Sequence, residues 1–579
     1  MTHRQILFVI FGLMAGMFLS ALDQTIVGTS MRTIADDLDG LSLQAWVTTA
    51  YLITSTIATP IYGKLSDIFG RRPLFLIAIG IFLVGSVAAG FADSMYQLAI
   101  FRAVQGLGAG GLMALPLAIM GDILAPRERA KYQGYFLAVF GISSVIGPLI
   151  GGLFSGTPEI LFVTGWRWVF LINLPIGLVA LAVVLRFLHI PHTRRTVRID
   201  WWGAATVILA LVPLLLVAEK GREWGWDSPI AITCYIVGAL GVGAFILSEK
   251  LMGDDALIPL KLFSHPTFAM TTVLGVLVGF GMFGAMMTIP LYLQLVNGAT
   301  PTESGFLMLP MILGLMIASI ASGQIIARTG TYSIFPKTGT ALMAAGFLWL
   351  TFLTADKPVI WIMVGMFLVG LGLGQLMQTL TIAAQNSVGP RDIGVATSSS
   401  TFFRQIGGTL GVAVLFSVLF TRIPDTIAAA FERTSVKEGI GAALADPSVV
   451  ADPANKQIIE LFQTAQAGGS VGTALDGDTS FLNGADPRLT APFLEGFNDA
   501  TISVYWVGLV VVGVAFVLSW FLKTAPLRDK SALQENAEND AALKAQLAAA
   551  ETGALVAPDV DLDSAAAADD APPAPRTTK

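Results

Sequence analysis

The chain has 579 residues, of which 54% are hydrophobic and 13% charged, and its formal net charge is −6. Soluble domains carry about 25% charged residues, so a mean hydropathy of +0.72 excludes a surface wetted on all sides and makes lipid the outer solvent. The small net charge, mostly in the tail, argues against nucleic acid as a partner, and the single cysteine, Cys234, leaves no internal disulfide to form.

A helix needs about 20 mainly apolar residues to cross a hydrocarbon core of ~30 Å. Fourteen stretches meet that need: 6–28, 44–63, 73–91, 96–121, 133–154, 168–188, 201–219, 229–249, 268–293, 303–327, 335–354, 358–384, 394–420 and 499–522. The first follows Met1–Gln5 at once and lacks a small-residue cleavage site before Asp23. It therefore reads as a retained span rather than a signal peptide. The expected fold class is all-α, a polytopic bundle of 14 transmembrane helices, because helices satisfy their own backbone hydrogen bonds in lipid.

Loop charges set the orientation. With a cytoplasmic N-terminus, the inner loops hold Lys64, Arg71, Arg72, Arg127, Arg129, Lys131, Arg194, Arg195, Arg198, Lys261, Arg328, Lys337 and Arg391. The outer loops hold only Arg32, Arg167, Lys220, Arg222 and Lys357. Cytoplasmic loops carry the Lys/Arg excess, so both termini are expected inside a cytoplasmic (inner) membrane. Residues 421–498 read as a long outer loop with a helical piece at Asn455–Ala467. Residues 524–579 read as a cytoplasmic low-complexity tail, disordered apart from a short helix around Ser531–Ala549.

The loop Gly63–Arg72 (GKLSDIFGRR) and the loop Gly323–Gly330 (GQIIARTG) both place two glycines seven residues apart at the inner end of a helix. Transporters often carry weak internal symmetry of this kind. It divides the chain into a six-helix bundle over 1–190, an inserted helix pair and linker over 191–265, and a second six-helix bundle over 266–523, a 6+2+6 plan.

Charges inside spans are costly, ~2.5–3.5 kcal/mol on insertion scales, and usually face a cavity or a partner. Asp23 in span 1 is a candidate proton site; the alternative is a helix-end carboxylate solvated by an outer vestibule. Arg102 in span 4 lies at a similar depth and is its natural counter-charge. Glu303 is either a second proton site or a cap, since an acidic residue in the first turn complements the helix dipole. Gln24, Gln105, Asn173, Gln294 and Gln378 are candidates for a substrate cavity or for joining helices.

In the first repeated loop, Gly63 and Gly70 permit tight turning and close approach. Asp67 can address the start of span 13 near Arg391–Gly394, and Arg71 can pair with Asp122. The alternative is that Arg71 and Arg72 only enforce orientation. Gly134, Gly147, Pro148, Gly151 and Gly152 in span 5 combine a kink with small packing surfaces.

Several of these segments resemble a known family. GKLSDIFGRR is similar to the loop motif of the major facilitator superfamily. LAIFRAVQGLGAGG (Leu98–Gly111) is similar to its span-4 motif, and GYFLAVFGISSVIGPLIGG (Gly134–Gly152) to its span-5 antiporter motif. LDQTIVGTSMRTIADDL (Leu22–Leu38), WRWVFLINLPIG (Trp166–Gly177) and IPLYLQLVNGATPTESG (Ile289–Gly305) resemble the branch of fourteen-span drug:proton antiporters. Two departures stand out: Ser143 replaces the middle glycine of the span-5 motif, and Thr331 and Tyr332 stand where the first half has Arg71 and Arg72.

The resemblance implies a cavity-facing Arg102 that assists proton transfer, a gating role for Gly63–Arg72, and a span-5 motif that prevents leak and sets antiport. The expected function is proton-coupled efflux of lipophilic compounds, cationic ones among the candidates, by alternating access. One alternative is lipid export with a periplasmic lipoprotein partner docked on 421–498; another is a non-transporting sensor or scaffold. The expected partners are small lipophilic substrates, protons and the bilayer, with the protein a monomer. No phosphate-binding Gly-Lys-Ser/Thr loop, catalytic triad or Cys/His metal cluster is present in the sequence. No enzyme activity, cofactor or metal is therefore expected.

Overall fold

The computed structural model describes residues 3–38, 44–188, 198–466 and 484–528, together with residue 482 and a few positions from 530 to 542. Fourteen helices of at least 15 residues occupy the described residues. In chain order they are α1 (His3–Asp37), α2 (Gln44–Phe69), α3 (Arg71–Gly90), α4 (Met95–Ile123), α5 (Pro126–Ser155), α6 (Asn173–Phe187) and α7 (Trp201–Trp224). They continue as α8 (Pro229–Met252), α9 (Pro266–Leu295), α10 (Leu309–Thr329), α11 (Ile334–Leu350), α12 (Val359–Asn386), α13 (Ile393–Glu432) and α14 (Pro487–Ser519).

Twelve spans are long and apolar enough to cross a membrane among the described residues. The helices at the predicted spans 44–63 and 335–354, α2 and the 17-residue α11, are not among them. α2 carries Thr48, Thr49, Thr54, Ser55, Thr56 and Thr59, and several of these hydroxyls bond to the carbonyl one turn back, as Thr59 does to Ser55 O at 2.9 Å. Such hydroxyls dilute hydropathy without interrupting the helix.

The all-α expectation needs one correction. Glu159–Ile160 pairs antiparallel with Val163–Thr164 in the connection between α5 and α6. Leu161 and Phe162 turn the hairpin with φ of 51° and 64°.

Packing follows the glycines. On α4, a Cβ on Gly106 or Gly110 would meet the α2 backbone, 2.5 Å from Tyr51 O and 2.4 Å from Ser55 O. On the same helix, Gly108 and Gly111 face α3, with Ala78 and Phe82 in the way of any Cβ. One helix therefore packs backbone-close against two neighbours, each along its own small-residue stripe. α1 packs on α5 and α6; α9 packs on α13, α10 and α11 pack on α12, and α14 packs on α13 and α11. α5 meets α10, and α2 meets α13.

The pair α7–α8 packs against α2 and α13. Asp200 caps α7 through Gly203 N at 2.6 Å, Glu249 accepts from Ile258 N at 2.8 Å, and Lys64 at the inner end of α2 donates to Asp254 O at 3.0 Å.

Two further expectations change. The loop placed at 421–498 is helical at both ends: α13 continues to Glu432 and α14 begins at Pro487. Thr421, Arg422 and Asp425 end the apolar run but not the helix, because polar side chains on a helix already under way cost little. Between these ends lie Thr434–Leu444 and the helix Lys456–Gln466, which matches the helical piece expected there; Ala467 lies outside the described residues.

The tail is not free from its first residue. Tyr332 Oη donates to Ala525 O at 2.9 Å, Asn386 Nδ2 donates to Pro526 O at 3.0 Å, and Arg528 bonds Val388 O. Of the expected tail helix, residues 534, 535, 537, 538, 541 and 542 are described and helical, while most of the rest, and Arg194 and Arg195, lie outside the described residues.

Candidate functional site

Asp23 is fully buried, and the structure brings it together with Arg102, Gln105 and Asn173. Arg102 Nη1 lies 2.5 Å from Asp23 Oδ2. Gln105 Nε2 and Asn173 Nδ2 both donate to Asp23 Oδ1, at 2.8 and 2.7 Å. Arg102 also donates to Gln105 Oε1 at 2.8 Å, and its guanidinium stacks 4.1 Å above the Tyr51 ring. Asn173 donates onward to Ser86 Oγ at 2.9 Å, which donates to Phe170 O at 2.9 Å. Elements from α1, α2, α3, α4 and the start of α6 thus close one polar network inside an apolar bundle.

The local sequence explains the closure. Arg102 and Gln105 sit three apart on α4 and share a face. A Cβ on Gly85 of α3 would stand 2.6 Å from Gln105 N, so only glycine lets α3 seal that face. The vestibule-solvated alternative for Asp23 does not describe this site, since no part of the residue reaches solvent.

A second group of predicted residues meets at the end of the bundle where α2 joins α3. Arg71 Nε lies 2.6 Å from Asp122 Oδ2, and Arg71 Nη2 lies 2.6 Å from Asp67 Oδ1. Gly394, in the first turn of α13, packs directly on this pair: a Cβ there would lie 2.3 Å from Asp67 Oδ1 and 2.4 Å from the Arg71 guanidinium. Gly63 packs likewise on Ser398 of α13, where a Cβ would lie 1.9 Å from Oγ. Gly70 serves differently, adopting φ 98° as the N-cap of α3, a conformation suited to glycine. Burial pushes the Asp67 carboxyl up to about 6, against the opposing pull of Arg71. Arg72 stands apart, donating to Leu185 O at 2.7 Å.

Close by, Arg129 of α5 bonds Gln385 of α12 and donates to Gly121 O at 2.7 Å. Gln378 Nε2 donates to Ala130 O at 2.5 Å while its Oε1 accepts from Ser319 at 3.0 Å. At this end of the bundle, α2, α4 and α5 are therefore bridged to α10, α12 and α13.

The span-5 residues divide between two neighbours. Gly134 and Gly141 face α10, where Cβ atoms would meet Ile320 at 3.2 Å and Ile312 at 2.4 Å. Gly147 and Gly151 face α1, against Thr25 and Thr29. Thr25 Oγ1 donates to Ser143 O at 3.0 Å, so α1 meets α5 closely at the position where glycine was expected. Pro148 packs on Gly305, in the short helix that precedes α10. Gly152 is exposed and its carbonyl accepts from Gly156 N at 2.9 Å.

Glu303 is where the two sequence readings part. It is exposed and forms a capping box with Thr300: its carboxylate accepts from Thr300 N at 2.8 Å, and Thr300 Oγ1 accepts from Glu303 N at 3.2 Å. Its geometry is that of a cap. Gln294 donates to Ser304 at 3.0 Å, and Gln24 is half-buried on α1.

A central cavity of about 130 Å³ lies between the helices. This is below the roughly 300–1,000 Å³ of drug-sized sites, so loading such a ligand requires the walls to separate. Of the predicted cavity residues only Gln378 lines it. Met17, Phe136, Met282, Met311 and Met377 make it apolar and adaptable. Sequence reasoning missed its other polar members, Gln133, Ser144, Thr381, Thr401, Arg404 and Gln405. Arg404 carried a usable signal, as a charge inside the predicted span 394–420.

The family model for the Major Facilitator Superfamily matches residues 13–412. The multidrug transporter protein MdtP of Bacillus subtilis strain 168 is 36% identical over 541 residues, spanning 92% of this chain and 96% of that protein. A tetracycline resistance determinant of Streptomyces rimosus is 37% identical over 343 residues, spanning 58% of this chain and 95% of that protein. The proton:xylose symporter XylE shares the fold, with a TM-score of 0.55 at 13% identity over 90% of this chain and 97% of XylE. With its apolar helices, its inner polar closure and the family model matching well over half its length, this chain belongs to the major facilitator superfamily and is a multi-pass membrane transporter rather than an enzyme.

Proposed function

We propose that the protein exports lipophilic compounds in exchange for protons, by alternating access between two bundles of six helices, α1–α6 and α9–α14. The pair α7–α8 is inserted between them, for fourteen spans with both termini cytoplasmic. The observation that carries the reading is the sealed Asp23–Arg102–Gln105–Asn173 network. Asp23 Oδ1 already accepts two hydrogen bonds, so a proton there displaces a donor, and a proton on Oδ2 removes the negative charge that holds the Arg102 ion pair. Protonation and rearrangement of five elements are then one event, which is what coupling requires. The relatives named as a multidrug transporter and a tetracycline resistance determinant support drugs as cargo.

In the cycle, the Arg71–Asp67–Asp122 cluster against Gly394 and the Arg129–Gln385 bond hold the cytoplasmic side closed. They separate when the cavity opens inward to load. α5, with glycines toward both α1 and α10, carries the movement.

The test is dye efflux from proteoliposomes with an imposed pH gradient. Asp23→Asn is expected to abolish gradient-driven efflux while the protein stays folded and monodisperse. Full gradient-driven efflux by this variant would overturn the assignment of Asp23 as the coupling site.

A further inference from the structure

Arg404 is 7% exposed, and it lies 11 residues into α13 from Ile393, about 16 Å along the helix. It lines the central cavity together with Gln133, Gln378 and Gln405. Its side chain makes no ion pair and no hydrogen bond among the described residues. No aspartate or glutamate among the described residues lines the cavity. A guanidinium deep in an apolar bundle is normally matched by a carboxylate, as Arg102 is by Asp23.

The position is built. A Cβ on Gly279 of α9 would lie 2.2 Å from Arg404 O and 3.2 Å from Arg404 Cγ. Glycine there lets α9 close on the arginine and fix where its head emerges. Across the cavity, Gln133 on α5 is 3% exposed and its Oε1 is buried with no hydrogen-bond partner. The other polar lining groups are engaged elsewhere: Gln378 with Ala130 and Ser319, and Gln405 Oε1 with Thr59 Oγ1 at 3.3 Å.

We infer that this cavity takes a lipophilic organic anion or zwitterion whose acidic group sits on Arg404 and whose hydroxyl or amide N–H reaches Gln133 Oε1. This deepens the export reading, on which it rests, by naming the substrate class. A planar guanidinium binds carboxylates and phosphates through paired N–H donors. An apolar body fills the Met- and Phe-lined remainder. A purely cationic ligand meets like charge in a site with no carboxylate to offset it. The anionic end can belong to a drug or to a lipid, since the chemistry at Arg404 is the same.

The test compares rhodamine B, which carries a free carboxylate, with its ethyl ester, identical in ring system. Binding to the full-length detergent-purified protein is read by fluorescence polarisation at neutral pH. The wild type is expected to prefer the free acid by about tenfold or more, as a charge-assisted hydrogen bond supplies. Arg404→Gln is expected to bring the ratio near one, and Arg404→Lys to keep part of it; the second variant serves if the first does not fold.

Displacement of rhodamine B by short-chain phosphatidylglycerol identifies a lipid source of the anion, and no displacement identifies a free one. Equal affinity for the two dyes, preference for the ester, no binding of the acid, or a preference that survives Arg404→Gln overturns the inference. Failure of gradient-driven efflux with the acid preference intact would sink the antiport reading alone.

Discussion

Two arginines lie deep in this bundle, and they are treated in opposite ways. Arg102 stacks on Tyr51, bonds Asp23 and Gln105, and is sealed by glycines that bring α2 and α3 against α4. Arg404 is as well held by its backbone against Gly279, yet its head has no partner among the described residues and faces a cavity. The cost of placing a guanidinium in an apolar span is similar for both. In the first half the cost is offset within the protein, so the charge organises structure. In the second half it is left for whatever enters the cavity. The two halves of one fold thus divide the work, one holding a permanent counter-ion and the other an open position for one.

The largest effect that would break this contrast is in stability. Arg102→Gln leaves Asp23 buried without its ion-pair partner, and losses of about 3–5 kcal/mol are typical of such half-broken pairs. A large fall in melting temperature is expected, with partial recovery on adding Asp23→Asn. Arg404→Gln removes an unmatched charge and is expected to leave the melting temperature unchanged or raised. Equal losses from the two arginine variants would mean that Arg404 is paired after all.

A middle-sized effect concerns the inner closure, where a matched cluster is also expected to respond to pH. The Asp67 carboxyl is held at about 6 by burial in the closed arrangement, and a solvated aspartate titrates near 4. Between about pH 4 and 6 the closed state therefore binds more protons than an opened one, so acidification through this window favours closure. Spin labels at Phe69 and Gly389, both exposed, are expected to show a growing short-distance population as pH falls through about 6. Asp67→Asn is expected to remove the pH dependence. A population that shrinks on acidification would reverse the sign and sink the argument.

The smallest effect tests the exposed end of the comparison. Glu303→Gln weakens a capping box on the short helix before α10 and is expected to lower thermal stability slightly. Proton dependence of efflux in proteoliposomes is expected to be unchanged. A lost gradient response in that variant would return Glu303 to the coupling site.

Much of the paired half was legible in the sequence. The depths of Asp23 and Arg102 along oppositely running helices brought them level, and a buried charge needs its opposite. Asp122 near the end of α4 and Arg71 at the start of α3 met for the same reason, and Asp67 reached Gly394 as its position predicted. Arg404 was missed although the same rule applied, because no carboxylate nearby in the sequence called attention to it. Polarity alone offers Gln24 and Gln294 a cavity role or a helix-joining role, since it does not say which way a helix face turns. The length of α13 was hidden because hydropathy ends at Thr421 while backbone hydrogen bonding runs on to Glu432. Nothing local marked residues 525–528 as bound, since their partners lie about 140 and 193 positions earlier.

That last contact has a consequence for how the molecule is made. Asn386 and Tyr332, at neighbouring ends of α12 and α11, bond the carbonyls of Ala525 and Pro526. During synthesis those helices emerge long before their clasp does. That rim stays unfinished until translation has passed α14, and a chain cut short of residue 525 leaves these two side chains with only their long contact to each other.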